Sequence, residues 1–222
     1  SNFNNIHNIA KKYDNIYCSV GIHPNEVSDS ETTTKEELIK LSSNHKVIGL
    51  GETGLDYYYE HSPKKLQKEN FQIHIEAAQE TQLPVIIHTR SADEDTIKIL
   101  QENFKQKPFP ALIHCFTATQ QLALDALEMG FYISISGIIT FNKAEQLRQI
   151  VKKLPIDRLL VETDAPYLAP APKRGKSNQP AYTQYTAKFL AELKNISYNQ
   201  LAKITTENFF KLFTKADPKN AA

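Results

Sequence analysis

Short apolar runs alternate along the chain with longer segments whose apolar residues recur at helical spacing. Short runs rich in Val, Ile and Leu are typical of buried strands. They predict six strands, at residues 16–20, 47–50, 84–87, 111–113, 131–135 and 158–161. The other periodic segments predict helices at residues 2–13, 34–41, 62–80, 93–104, 119–129, 144–154, 181–193 and 197–213. This strict alternation predicts an α/β fold with parallel strands joined by right-handed crossovers.

The number of strands leaves two architectures open. A (β/α)8 barrel needs eight strands, and six do not close one. The chain opens with a predicted helix that has no strand before it. We therefore expect either an open doubly wound sheet or a barrel that lacks its first strand, first helix and second strand. In either case a chain of 222 residues suits a single domain, 1–222.

Several predicted helices carry recognisable end signals. Thr34 followed by Glu37 resembles a capping box, and Thr119 is placed to cap the helix that follows it. Pro63 is predicted at the first position of its helix, and Gly130 is expected to end the helix before it.

Composition narrows the class of protein. Hydrophobic residues make up 41% and charged residues 23% of the chain, which excludes a disordered or fibrous protein. A net charge of +1 argues against a protein held on nucleic acid by its overall field, so a polyanion would be bound by local groups. Two cysteines cannot form a disulfide framework, and the chain shows no membrane span or targeting signal. We expect a globular, cytoplasmic protein.

Five of the six predicted strands are followed by an imidazole or a carboxylate. These side chains are His23, Glu52, His88, His114, and Glu162 with Asp164. Because the carboxyl ends of parallel strands share one rim, we expect the side chains to converge there. Such mixed ligands suit Zn²⁺ or Mn²⁺, carboxylates with water suit Mg²⁺, and a carboxylate between two ions can bridge them.

Each residue also has a simpler interpretation. A lone histidine at a strand end is usually a structural hydrogen-bonding residue, and only the recurrence favours metal ligands. Glu162 is the less promising member of its pair, because alternation along the strand points it away from Asp164. His7, His45, His61 and His74 lie in predicted helices or loops and are interpreted as structural or solvated.

Cationic and aromatic residues follow the same strands. Arg90, two residues after His88, and Arg174, in the long loop after the last strand, are candidates to hold a phosphate. The simpler alternatives are an ion pair for Arg90 and a solvated loop for Arg174. The tyrosines at 57–59 suit base stacking and core packing equally well.

Five motifs, in this order, resemble the TatD family of metal-dependent deoxyribonucleases over essentially the whole chain. They are Gly-Ile-His-Pro at 21–24, Gly-Glu-Thr-Gly-Leu-Asp-Tyr at 51–57, Pro-Val-Ile-Ile-His-Thr-Arg at 84–90, His-Cys-Phe at 114–116 and Glu-Thr-Asp-Ala-Pro-Tyr-Leu at 162–168. The resemblance implies a (β/α)8 TIM-type barrel with two divalent metal ions, Mg²⁺, Mn²⁺ or Zn²⁺, that hydrolyses DNA, in several members as a 3′–5′ exonuclease.

The resemblance also implies roles for individual residues. Glu52 would bridge the two ions, and His88 and His114 would bind one of them. Asp164 would bind the other ion and orient the attacking water, which makes Asp164 and Glu52 the catalytic residues. His23 would approach the ions or the substrate phosphate.

One departure from the family pattern is serious. The family begins with a strand that carries His-x-His, and no two histidines in this chain are two residues apart. The strand count and the missing motif both predict an absent amino end of roughly 45 residues. We therefore expect metal to bind better at Glu52, His88 and His114 than at the other site, and little nuclease activity from these residues alone.

The leading hypothesis is a metal-dependent deoxyribonuclease that acts preferentially on single-stranded DNA, with no membrane association and no obligate protein partner. A first alternative keeps the metal site but changes the substrate to a small phosphoester or amide. A second is a truncated, non-catalytic binding protein.

Overall fold

The computed structural model describes residues 3–28, 32–59 and 61–220. Asn2, the first residue of the predicted opening helix, lies outside them. The described residues form two compact units, those within 3–112 and 210–220, and those within 113–209. The prediction of a single domain stays a prediction.

The first unit alternates helices and parallel strands. Its elements are α1 (Phe3–Lys12), β1 (Cys18–Val20), α2 (Lys35–Ser42), β2 (Val47–Asp56), α3 (Lys64–Thr81), β3 (Val85–Arg90) and α4 (Asp93–Gln106). The strand order is β1-β2-β3, and β2 pairs in parallel with both neighbours. A 3₁₀ turn, Pro24–Glu26, follows β1. The alternation is the one that the sequence predicts.

The short strand β4 (Ala111–Ile113) lies at the boundary, and the second unit continues the alternation. Its elements are α5 (Gln120–Glu128), β5 (Tyr132–Ile135), α6 (Glu145–Lys153), β6 (Leu159–Val161), α7 (Thr183–Leu193) and all but the last three residues of α8 (Tyr198–Leu212). β5 and β6 pair in parallel, with Ser134 opposite Leu160. The predicted α/β class is confirmed.

Strand β2 is longer than predicted, because its glycines do not end it. The strand runs to Asp56, so Glu52 lies within β2 and not after it, at an irregularity of the ladder between Leu50 and Thr53. Gly51 and Gly54 have φ of 141° and 137°, and a Cβ on Gly54 would lie 2.0 Å from the carbonyl oxygen of His88. These glycines allow β2 to approach β3 more closely than any side chain permits.

The helix-end signals are largely confirmed. Thr34 and Thr119 each accept a backbone hydrogen bond at the start of their helices, at 3.2 and 3.3 Å. Glu37 does not complete the predicted capping box, since its carboxylate accepts a hydrogen bond from Thr33 instead. Pro63 is the residue before α3 and not its first helical residue, and Gly130 follows α5 with φ of 77°, as a helix-ending glycine does.

The core of the first unit lies between its sheet and α3, which packs on β2. Leu50, Leu55, Phe71, Ile75 and Ile87 are fully buried. Each such side chain stabilises the fold by about 1.5–3 kcal/mol relative to an exposed one. Among the described residues, no helix has both the length and the apolar character needed to cross a membrane. The predicted cytoplasmic location stays a prediction.

Candidate metal centre

The first unit brings three of the predicted residues together. His23, Glu52 and His88 offer ligand atoms that all lie within 4.8 Å of one another. Glu52 Oε1 is 2.8 Å from His88 Nδ1 and 3.6 Å from His23 Nε2. We call this set the Glu52 group. One carboxylate between two imidazoles is a donor set that suits a divalent transition ion.

A buried carboxylate that the sequence reasoning missed holds the other side of His88. Asp56 is 0% exposed, and its Oδ2 lies 3.1 Å from His88 Nε2. Burial would raise the pKa of Asp56, but hydrogen bonds from the backbone N–H groups of Tyr59 and Tyr58 and from Asn25 outweigh it and lower the pKa. An ionised Asp56 accepts only, so the proton of a neutral His88 lies on Nε2. Nδ1, which faces Glu52, is then the nitrogen available to an ion.

His23 has the opposite arrangement. Its Nδ1 accepts a hydrogen bond from the backbone N–H of Asn25 at 3.1 Å, where the 3₁₀ turn begins. The neutral ring therefore carries its proton on Nε2, the nitrogen that faces Glu52. This tautomer suits donation to a carboxylate or phosphate oxygen better than ligation of an ion.

Three buried polar side chains of α3 fix the segments that carry these residues. Gln67 bonds the backbone of Asp56, donating to its carbonyl at 3.0 Å and accepting from its N–H at 2.7 Å. Asn70 donates to the carbonyl of Ile22 at 3.0 Å, and His74 Nε2 accepts from the N–H of Ile22 at 3.2 Å. The residue before His23 is therefore held at both of its peptide groups. We call Gln67, Asn70 and His74 the α3 polar stripe.

His74 is uncharged in the folded protein. Its side chain is fully buried, and burial lowers its pKa to about 4 against the opposing effect of the hydrogen bond from Nδ1 to the carbonyl of Asn70, at 2.7 Å. A Cβ on Gly21 would lie 2.8 Å from His74 Nε2, so only glycine fits beside the ring. The interpretation of His74 as a structural residue agrees with this position.

The second unit brings together His114, Glu162 and Asp164, again with ligand atoms within 4.8 Å of one another. His114 Nδ1 lies 2.8 Å from Glu162 Oε2, and His114 Nε2 lies 3.3 Å from Asp164 Oδ1. Ser134 on β5 also donates a hydrogen bond to Glu162 Oε2. We call His114, Glu162 and Asp164 the Asp164 group.

The expectation that Glu162 points away from Asp164 is wrong. Alternation places residues two apart, as Glu162 and Asp164 are, on the same face of a strand, so it gave no ground for separating them. Strand β6 itself ends at Val161, and Asp164 follows with φ of 58°. Both carboxylates contact the same imidazole. Glu162 holds Nδ1 of His114, as Asp56 holds Nε2 of His88, and each histidine keeps its other nitrogen for the group's remaining carboxylate.

The loop that carries Asp164 is fixed by one buried amide, which the sequence reasoning also missed. Asn178 donates hydrogen bonds to the carbonyls of Thr163 and Tyr167, both at 2.6 Å. Its own N–H donates to the carbonyl of Pro166 at 2.9 Å. The conformation of Asp164 is thus set from fourteen positions further along the chain.

The predicted phosphate-binding arginines both lie against aromatic rings. The guanidinium of Arg90 is 4.1 Å from the ring of Tyr58 and 4.5 Å from that of Tyr59. The guanidinium of Arg174 is 3.7 Å from the ring of Phe141. A guanidinium has five N–H donors, so contact with a ring is compatible with phosphate contact as well. The phosphate-binding role of Arg90, Arg174 and His23 stays a prediction.

The side chains of both groups fit a divalent cation. Each group combines imidazole nitrogen with carboxylate oxygen, and in each a further carboxylate orients a histidine. Within the described residues, the buried Oε1 of Glu162 has no hydrogen-bond partner, which favours a positive ion near it. The bridging role of Glu52 and the sharing of one ion by His88 and His114 stay predictions.

Comparison with known proteins assigns the chain to a family. Residues 1–214 match the model of the TatD related DNase family. The chain is 48% identical over 219 residues to the uncharacterized metal-dependent hydrolase BU355 of Buchnera aphidicola, covering 96% of this chain and 83% of that protein. It is also 48% identical over 200 residues to the uncharacterized metal-dependent hydrolase YcfH of Escherichia coli K12, covering 90% and 74%.

The structure resembles a solved relative. The TatD homologue YJJV of Escherichia coli K12 superposes with a TM-score of 0.85 at 27% identity, over 96% of this chain and 82% of that one. The predicted TIM-type barrel fold class is confirmed by this likeness.

Proposed function

The chain belongs to the TatD related DNase family of metal-dependent hydrolases, and from that premise we propose that it hydrolyses phosphodiester bonds in DNA, as a 3′–5′ exonuclease that prefers single strands. One observation carries the proposal. Each of the Glu52 and Asp164 groups pairs an imidazole with a carboxylate, and a further carboxylate orients the ring. Such orienting carboxylates accompany metal-binding histidines in metalloenzymes.

Divalent ions would be held by His88 Nδ1 and Glu52 of the Glu52 group and by His114 Nε2 and Asp164 of the Asp164 group. Bound divalent ions lower the pKa of a coordinated water and neutralise charge on phosphoryl oxygens. Asp164, whose carboxylate is partly exposed, would accept a proton from the attacking water and orient it. Asp56 and Glu162 are positioning residues, because they act on the histidines and not on the substrate.

The substrate phosphate would be held by hydrogen-bond donors of the same units. His23 would donate from Nε2–H beside Glu52, and Arg90, on the strand that carries His88, would donate from its guanidinium. Arg174 would supply a third donor in the second unit. With a net charge of only +1, the chain has to bind a polyanion through such local contacts.

The test compares substrates and metals for the protein as its own gene encodes it, alongside residues 1–222. For the protein as its gene encodes it, we expect release of nucleotides from the 3′ end of a single-stranded oligonucleotide in Mg²⁺ or Mn²⁺, loss of that release with a chelator, and loss with Glu52→Gln. Residues 1–222 alone should release little. Chelator-sensitive hydrolysis of small phosphoesters or amides, with intact DNA, would overturn the choice of substrate. Turnover that neither the chelator nor Glu52→Gln reduces would overturn the mechanism.

A further inference from the structure

Two tyrosines at the end of β2 are unusually exposed. Tyr58 is 60% and Tyr59 is 49% exposed. The guanidinium of Arg90 lies over both rings, and the ring of Tyr59 stacks on His61 with a centroid distance of 5.6 Å and an interplanar angle of 17°. We call Tyr58, Tyr59, His61 and Arg90 the aromatic platform. The rings of Tyr58 and Tyr59 are perpendicular, with an interplanar angle of 87°, so a base can stack on one of them and contact the edge of the other. An exposed aromatic ring beside a cation provides the elements of a base-stacking site.

A cleft adjoins the platform. It has a volume of about 420 Å³ and is lined by Asp56, Tyr57, His61, Ser62, Pro63 and Lys64. That volume lies within the range of small-ligand pockets. The ammonium group of Lys64 is 4.3 Å from the centre of the Tyr57 ring, so a second cation lies against an aromatic wall. The cleft therefore offers room, aromatic surface and positive charge together.

The platform is tied to the Glu52 group through one side chain. The backbone N–H groups of Tyr58 and Tyr59 donate to Asp56 Oδ1 at 3.0 and 3.1 Å. The other oxygen of Asp56 faces His88 at 3.1 Å. A single carboxylate thus fixes both the backbone of the platform and the ring of a predicted metal ligand. A nucleotide whose phosphate lies at the Glu52 group would have its base beside the platform.

We propose that the aromatic platform binds an unpaired nucleobase next to the phosphodiester bond that the enzyme cleaves. The proposal rests on the proposed function, since it assumes a nucleic acid at the Glu52 group. Stacking accepts any base, because every base has a π face, whereas a paired base keeps its faces inside the duplex. The platform thereby selects single strands without selecting a sequence. Arg90 contacts the rings of the platform and would also donate N–H groups to the phosphate.

The test measures base stacking directly. A phosphorothioate-linked single-stranded oligonucleotide with one 2-aminopurine at its 3′ end is titrated with the protein in Mn²⁺, and fluorescence quenching reports stacking. We expect quenching with the unaltered protein. Tyr58→Ala with Tyr59→Ala should abolish the quenching and weaken binding roughly 5- to 100-fold, the range expected for one stacked base.

Two controls separate stacking from other effects. Tyr58→Phe with Tyr59→Phe keeps the rings and should bind as the unaltered protein does. Tyr13→Ala removes another exposed tyrosine, 55% exposed, and should change nothing. An oligonucleotide that is abasic at the 3′ position should bind equally weakly to the unaltered protein and to the alanine variant.

The outcomes distinguish this proposal from the proposed function. The base-binding role of the aromatic platform would be overturned, even if DNA is cleaved, by either of two results. One is unchanged quenching and affinity in the folded alanine variant, and the other is a preference for duplex over single strands. Tyrosine-dependent quenching with no metal-dependent cleavage by the native gene product would support base binding and overturn the nuclease.

Discussion

Acidification from pH 7 to pH 4 should destabilise the folded protein through one buried imidazole, His74. The folded-state pKa of about 4 lies below the ordinary value of 6.5, because burial disfavours the charged ring. Between these two values the unfolded chain binds a proton at His74 and the folded chain does not. The free energy of unfolding therefore falls as the pH falls from 6.5, and this contribution levels off below pH 4.

The size of the effect follows from the two pKa values. A difference of about 2.5 corresponds to roughly 3 kcal/mol at 25 °C, a large part of the stability of an ordinary domain. The hydrogen bonding of His74 predicts the same direction of change in stability. Its Nε2 accepts a hydrogen bond from the N–H of Ile22 at 3.2 Å, so a proton on Nε2 would face another donor. Protonation would replace a hydrogen bond by a contact between two donors and release the segment that carries His23.

The assay is chemical denaturation with urea at pH 7, 5.5 and 4.5, for the unaltered protein and for His74→Gln. Other carboxylates and histidines titrate in this range, so the quantity of interest is the difference between the two pH profiles. We expect the stability of His74→Gln to fall by about 2 to 3 kcal/mol less than that of the unaltered protein over this range. Parallel profiles, within about 0.5 kcal/mol, would refute the burial of a neutral imidazole at this position.

Three further substitutions test the site and its support. Gly54→Ala should lower the free energy of thermal unfolding by more than about 3 kcal/mol, because its Cβ would lie 2.0 Å from a carbonyl oxygen. Gly130→Ala is the control and should cost about 1 kcal/mol, because residue 130 has a positive φ but open space around it. Asn178→Ala leaves two carbonyls without their donor and should cost about 2 to 4 kcal/mol in urea denaturation. Asp56→Asn should weaken Mn²⁺ binding about 10- to 100-fold in calorimetry, because it no longer fixes the protonated nitrogen of His88. Equal losses of stability for the two glycine variants would contradict the close approach at Gly54. An Asn178→Ala variant of unchanged stability would contradict its hydrogen bonds to the two carbonyls, and an unchanged Mn²⁺ affinity would contradict the contact of Asp56 with His88.

The order of strands and helices could be predicted because it depends on periodicity, which is a local property of the sequence. The same pattern located His23, Glu52 and His88 near the ends of strands that the structure places side by side. The extent of β2 could not be predicted in this way. Glycines normally end a strand, and here they allow a close approach to β3 that depends on tertiary structure.

The positioning residues were missed for related reasons. The predicted strand ends six residues before Asp56, so the sequence pattern does not place Asp56 beside His88. The α3 polar stripe was hidden because polar residues in a helix are usually solvated. A usable signal was present, since Gln67, Asn70 and His74 lie on the same helical face as Phe71 and Ile75. Polar residues within an apolar stripe indicate buried hydrogen bonds.

Metal titration tests the central claim most directly. Protein stripped with chelator is titrated with Mn²⁺ in a calorimeter, as the unaltered chain and as folded His88→Ala and Asp164→Ala variants. We predict two binding events, the tighter at the Glu52 group, with the tighter event lost in His88→Ala and the weaker lost in Asp164→Ala. No binding by the folded, unaltered chain, or binding that neither substitution changes, would contradict the assignment of these two groups as the metal centre.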